Sequence, residues 1–191
     1  VMVEKRLNRV LDFAMEFEMD RLFHLNFLGY SVFQTSRRGE YEGNRVASRA
    51  RLEGMISRYT GMGLLHEIRE QLEKVLTSVF HGKYVGCLGV DMMIYEDESG
   101  GFGVQPCVEI NLRYNMGIVS IALQRFLQEE VEGVFTIRFS PKPGEIMQSV
   151  EENRDAYPLQ VKTGRITAGY INLTPVSRES RFVAELYVGD K

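Results

Sequence analysis

Gly-Cys-Leu-Gly-Val-Asp-Met-Met-Ile at residues 86–94, a polar turn Asp-Glu-Ser-Gly-Gly at 97–101, and Pro-Cys-Val-Glu-Ile-Asn-Leu-Arg at 106–113 decide how this chain is read. Two β-prone runs around a polar, glycine-ended cluster predict a hairpin, with strands at Val85 to Tyr95 and Val104 to Arg113. Side chains alternate along a strand, so Glu109, Asn111 and Arg113 share one face while Val108, Ile110 and Leu112 share the other. In the partner strand Asp91 stands in an apolar setting that is costly for a carboxylate without a partner. If the pairing sets Asp91 beside Glu109 and Asn111, three oxygen ligands converge from rigid strands. That donor set suits Mg²⁺, which takes hard oxygens and completes its octahedron with phosphates and water. Arg113 could then meet a phosphate or carboxylate bidentately. Either piece alone is more often an edge aspartate or the solvent face of a hairpin; their conjunction points to a site.

Outward from this hairpin the elements are read by period. Leu64, Leu65, Ile68, Leu72, Val75, Leu76, Val79 and Phe80 repeat at helical spacing, which predicts a helix over Met62 to Phe80, with His81 and Gly82 at its stop. Asn115 can cap a second amphipathic helix that ends near Gly133. Residues 12–19 and His24 to Thr35 read as an antiparallel pair joined by a tight turn. Ser36 to Arg45, with two glycines and no apolar period, reads as a mobile loop. Strands at about Val134 to Phe139, Arg165 to Leu173 and Phe182 to Val188 flank a short helix opened by Pro141-Lys142-Pro143-Gly144 and running to about Glu152. The order βββ-helix-ββ-helix-β-helix-ββ is α+β: an antiparallel sheet with helices packed mainly on one face.

Composition narrows the function. The chain has 191 residues, 44% hydrophobic and 26% charged, so it can bury a core and is not intrinsically disordered. With 23 Lys and Arg against 26 Asp and Glu, the net charge of -3 gives no overall positive field for nucleic acid or an anionic membrane. Apolar runs stop well short of the roughly 18 to 20 residues that cross a bilayer, and Glu4, Lys5, Arg6 and Arg9 interrupt any signal-peptide pattern. Cys87 and Cys107 have no metal spacing and are expected as buried thiols in a reducing cytoplasm. His24, His66 and His81 are isolated in sequence and are expected in surface or helix-terminal roles. The glycine-rich Gly100 to Gly103 lacks a following Lys-Ser/Thr and reads as a turn, not a phosphate loop.

The segments Gly-Cys-Leu-Gly-Val-Asp (86–91) and Glu-Ile-Asn-Leu-Arg (109–113) resemble the C-terminal part of the ATP-grasp ligase fold, which has a strand with Gly-x-x-Gly-Val-Asp followed by one with Glu-Ile-Asn-x-Arg. The resemblance implies that Asp91, Glu109 and Asn111 are Mg²⁺ ligands holding ATP phosphates, with Arg113 near the transferred group. Val3-Glu4-Lys5 resembles the hinge strand whose backbone and glutamate face the adenine, and Asp12 sits where an acidic group meets the ribose. On this reading residues 1–133 are the C-terminal lobe and 134–191 an extension packed on it. Many relatives carry an arginine two residues before the aspartate, where Gly89 stands here. The loop arginines Arg37 and Arg38, with Arg45 behind them, are candidates to supply that charge; an ordinary solvated charge run is the competing reading.

The activity implied is phosphoryl transfer from ATP to a substrate carboxylate, then attack on the acyl phosphate by an amine or a thiol. The N-terminal lobe and a preceding substrate domain have no counterpart here, and the apolar start Val1-Met2-Val3 reads as an excerpt, so this chain alone is expected to be inactive. Two rivals stay open. A non-catalytic nucleotide-binding or dimerisation module would keep the sheet without turnover, and an exposed hinge strand could pair with a second copy as a homodimer. A hydrolase using Asp91 and Glu109 as acid and base ranks last, because Asn111 and Arg113 at alternate positions favour phosphate over sugar chemistry.

Overall fold

The computed structural model describes residues 6–36 and 39–189. These form nine strands and four helices, α+β, in two compact units built from Val1–Phe33 with Arg49–Ile121, and from Gln34–Ser48 with Ala122–Lys191. The ladders between named strands in each unit are antiparallel.

In the first unit the strands are β1 (Asn8–Met19), β2 (Leu25–Thr35), β4 (Gly86–Glu96) and β5 (Phe102–Asn111), in spatial order β5-β4-β1-β2. The β1-β2 connection follows from Asp20: its Oδ1 accepts the backbone N–H groups of Leu22 at 2.8 Å and His24 at 2.9 Å. An aspartate that turns the chain onto its own side chain sets up a hairpin at short range. Asp97 does the same for β4-β5, accepting from the N–H groups of Ser99 and Gly101.

Period two then sorts the side chains. Phe13, Met15, Phe17 and Met19 of β1 and Leu88, Val90, Met92 and Ile94 of β4 are fully buried on one face. Helices α1 (Arg49–Ser57) and α2 (Met62–Phe80) lie on that side, where Arg49 and Arg69 stack on the Phe27 ring, itself in contact with Phe17. The other face carries Asp12, Glu16, Asp91 and Glu109, and meets the first turns of α3 (Met116–Gln124). The apolar side of β5 is half exposed at Val108, Ile110 and Leu112 because β5 is the edge of this unit's sheet.

The second unit orders its strands β3-β6-β9-β8-β7, with β3 at Tyr41–Val46, β6 at Gly133–Phe139, β7 at Gln160–Lys162, β8 at Arg165–Asn172 and β9 at Phe182–Val188. Helix α4 (Glu145–Ala156) buries Ile146 and Val150 against Tyr170 and Val183. Beside that core, Glu185 is buried yet satisfied: Arg138 donates to both carboxylate oxygens at 3.1 and 3.3 Å and the Tyr170 hydroxyl donates at 2.8 Å.

Four expectations are corrected. The loop expected over 36–45 contains β3, whose Tyr41-Glu-Gly-Asn-Arg-Val has no apolar alternation because pairing of Asn44 to Val46 with β6 holds it in place. The helix after Asn115 ends at Gln124, not near Gly133; the N–H groups of Phe126 and Leu127 donate to the last α3 carbonyls, of Leu123 and Gln124, and Leu127 bridges Ile166. Helix α1 and the three-residue β7 add two elements to the expected order. Cys107 is exposed, whereas Cys87 is buried as expected.

Shortening Ile146, which is wholly buried under α4, leaves a cavity the rigid sheet cannot collapse into. Ile146→Ala is expected to lower the unfolding free energy by about 3 kcal/mol in urea denaturation.

Candidate functional site

The site is built on one rung and its neighbour across three strands. Ala14 of β1, Asp91 of β4 and Glu109 of β5 are directly paired; on the next rung Glu16 pairs Gly89, which pairs Asn111. Cross-strand partners in antiparallel pairs face the same side, so two carboxylates meet directly and the amide lies one rung on. Asn111 donates from Nδ2 to Asp91 Oδ2 at 3.1 Å, and its Oδ1 accepts from Arg113 Nη2 at 2.9 Å. A second Arg113 nitrogen reaches the Tyr114 carbonyl at 3.4 Å. Asp91, Asn111 and Arg113 thus form one chain of contacts with Glu109 opposite its start.

Between Asp91/Glu109 and Met93/Gln105 the register shifts by two residues on the β5 side. Pro106 falls in that irregularity, which suits a residue without an N–H to give to the ladder. A shift of two preserves the face, so Glu109 and Asn111 stay on the side of Asp91.

Electrostatics on this face are strained. Burial pushes the Asp91 carboxyl up to about 6, with repulsion from Glu109 next, against the lowering effects of Asn111 and Arg113. Asp12, on the same face, adds to the repulsion and is itself bound by Arg9 Nη1 at 3.0 Å. A carboxyl raised in this way, with a second carboxylate facing it across the ladder, is chemically suited to receive a cation. Among the described residues no three His, Cys, Asp or Glu side chains cluster as a metal site. The donor set is two carboxylates and an amide, which matches a cation that takes one or two carboxylates and leaves the rest of its shell to phosphate and water.

The structure therefore brings Asp91, Glu109, Asn111 and Arg113 together and sets Asp12 on their face. Glu4, Lys5, Arg37 and Arg38 lie outside the described residues, and Arg45 is on β3 in the second unit. The histidines take structural positions: His24 beside Asp20, His66 among Arg69 and Glu70 on α2, and His81 at the α2 C-cap against Phe23.

Sequence reasoning missed Glu16. It is 1% exposed, and its Oε1 accepts the Ser31 hydroxyl at 2.9 Å while its Oε2 accepts Asn115 Nδ2 at 2.8 Å. The cap foreseen at Asn115 is present, its Oδ1 accepting the Ile118 N–H at 2.9 Å. A Cβ at Gly89 or Gly117 would overlap the Glu16 carboxylate, so both positions admit only glycine while that group is there. The signal available beforehand was the glutamate at an even position in a strand whose odd positions from Leu11 to Met19 are all large and apolar.

No protein-family model and no curated protein matches this chain. Among solved structures it is similar to a Rhizobium etli pyruvate carboxylase variant with the allosteric activator acetyl coenzyme-A: TM-score 0.53 and 13% identity, covering 97% of this chain and 18% of that one. The same enzyme crystallized without acetyl coenzyme-A gives TM-score 0.52 and 12% identity, covering 96% and 20%. N5-carboxyaminoimidazole synthetase from Staphylococcus aureus complexed with ADP aligns over 98% of this chain and 48% of its own, at 13% identity and TM-score 0.49. This chain spans less than half the length of each. The likeness to the two structures above TM-score 0.5 shows the fold alone: an α+β architecture that recurs as a part of longer proteins.

Burial lifts the Glu16 carboxyl from 4.5 to about 7, despite the lowering effects of Asn115 and Ser31 and with Asp91 adding repulsion. A carboxyl raised on folding contributes stability that is fully present below the unfolded value and lost as pH rises through the folded one. Unfolding free energy should therefore fall by on the order of 3 kcal/mol as pH rises through this window. Glu16→Gln should remove most of that slope, leaving the smaller one from Asp91, in urea titrations across about pH 4 to 8.

Proposed function

We propose that Asp91, Glu109 and Asn111 hold Mg²⁺ against the phosphates of ATP, in an ATP-dependent ligase that phosphorylates a small carboxylate for attack by an amine or thiol. The observation that carries this reading is the direct pairing of Asp91 with Glu109, with Asn111 bridging from the adjacent rung to Arg113. Mg²⁺ would neutralise phosphate charge and polarise the transferred group.

The chain's own residues supply placement and positive charge. Arg113, at the end of the contact chain, is assigned to the transferred phosphoryl or the substrate carboxylate, where a guanidinium fork meets two oxygens at once. Arg37 and Arg38 are assigned to the same negative charge from their loop. Glu4 and Lys5 are assigned to the adenine, and Asp12 to the ribose. No protein nucleophile is needed, since the rate of phosphoryl transfer comes from alignment and electrostatic stabilisation. Residues 1–133 then act as the nucleotide-binding lobe and 134–191 as an extension, in a reducing compartment where Cys107 stays a thiol.

Calorimetric titration with ADP, with and without Mg²⁺, tests the reading. Saturable binding tightened by Mg²⁺ is expected, with Asp91→Asn and Glu109→Gln each weakening the Mg²⁺-dependent affinity about tenfold or more. Removing one of two repelling carboxylates should leave stability unchanged or raised. Binding unaffected by both substitutions, or lost in step with stability, would contradict it.

A further inference from the structure

We infer that Glu16 is a positioning residue for the phosphate end of this site: through Asn115 it fixes the turn that carries Arg113. The inference rests on the nucleotide and metal reading above and adds to it a group that touches neither.

Three residues, Leu112, Arg113 and Tyr114, separate Asn111 from Asn115. One end of this turn is set by the β4-β5 ladder, where Asn111 pairs Gly89. The other end is set by Asn115, which is 9% exposed and engaged at both ends of its amide: Nδ2 to Glu16 Oε2 and Oδ1 from the Ile118 N–H. Among the described residues, the hydrogen bonds of Arg113 run to the Tyr114 carbonyl within the turn and to Asn111. Its aim therefore depends on two fixed ends, and Glu16 holds the second.

The chemistry of a carboxylate explains why this residue type stands there. Both neighbours of the Glu16 head group donate to it, the Ser31 hydroxyl to Oε1 and the Asn115 amide to Oε2. Because Asn115 turns its NH₂ to Glu16, its carbonyl oxygen faces the N–H of Ile118, one of the free donors in the first turn of α3. One acceptor on β1 thereby selects the amide orientation, caps the helix and closes the turn. Burying a carboxylate costs several kcal/mol where an apolar side chain would pack at no such cost, and both Gly89 and Gly117 keep the space clear. Glu16 also shares a rung with Gly89 and Asn111, so any shift of its head group is felt beside the Asp91 ligand set.

The full chain, titrated with a non-hydrolysable ATP analogue in the absence and presence of Mg²⁺, gives the metal-dependent gain in affinity as a ratio. Asn115→Ala and Glu16→Ala should each reduce that gain about fivefold or more while the analogue without metal binds within about twofold of wild type. The double variant should be no worse than the poorer single one, because both act through one contact. Ser31→Ala removes the other bond to Glu16 and should cost stability while leaving the gain intact. Backbone amide exchange over residues 112–118 should quicken about tenfold in the Glu16 and Asn115 variants. A gain preserved in both variants, or lost equally with and without metal, overturns the inference while the nucleotide reading stands. A wild-type chain with no gain at all overturns that reading and this inference with it.

Discussion

A slip of one residue between β4 and β5 would send Glu109 and Asn111 to the opposite face from Asp91 and turn Val108, Ile110 and Leu112 onto the polar side. Register is therefore the constraint on which the rest depends. Asp97 sets the hairpin from one end by folding the chain back onto its own carboxylate. The apolar row Leu88, Val90, Met92 and Ile94 sets it from beneath, since exposing four wholly buried side chains would cost several kcal/mol. The two-residue irregularity at Pro106 is compatible with this because an even shift leaves every side chain on its own face.

Given that register, the polar face gathers charge that the sheet alone could not tolerate. Asp12, Glu16, Asp91 and Glu109 stand on adjoining strands, and burial and mutual repulsion raise both Glu16 and Asp91. Glu16 is relieved by two donors and stays out of solvent. Asp91 has one amide donor, and Glu109 faces it from an exposed edge strand. On the proposed reading, that difference separates a carboxylate used for placement from a pair left open to a cation. A similar economy appears in the second unit, where buried Glu185 is matched by Arg138 and Tyr170.

What could be read beforehand was local. The hairpin, the α2 stretch and the Asn115 cap each depend on residues within a few positions, and each stands where the sequence puts it. Strand β3 could not be read because its own side chains show no period and one of its neighbours, β6, is about ninety residues away. Helix α1 offers only Leu52 and Ile56 as buried positions, too few for a period to register over two turns. Leu127 continues the helical spacing of Val119, Leu123 and Phe126, yet it lies beyond α3 on a bridge to Ile166 of β8. Glu16 was hidden for the same reason: its meaning comes from Ser31 and Asn115, fifteen and ninety-nine positions away.

The central claim is that a divalent cation and nucleotide phosphates meet at the Asp91–Glu109 pair. Paramagnetic broadening of the chain's amide resonances by Mn²⁺ with ADP locates the cation without reference to turnover. The account predicts that broadening centres on residues 89–92 and 109–113 and vanishes in Asp91→Asn. Broadening centred on the acidic hairpin turn at 96–98, or scattered over the surface and unchanged in that variant, would contradict it.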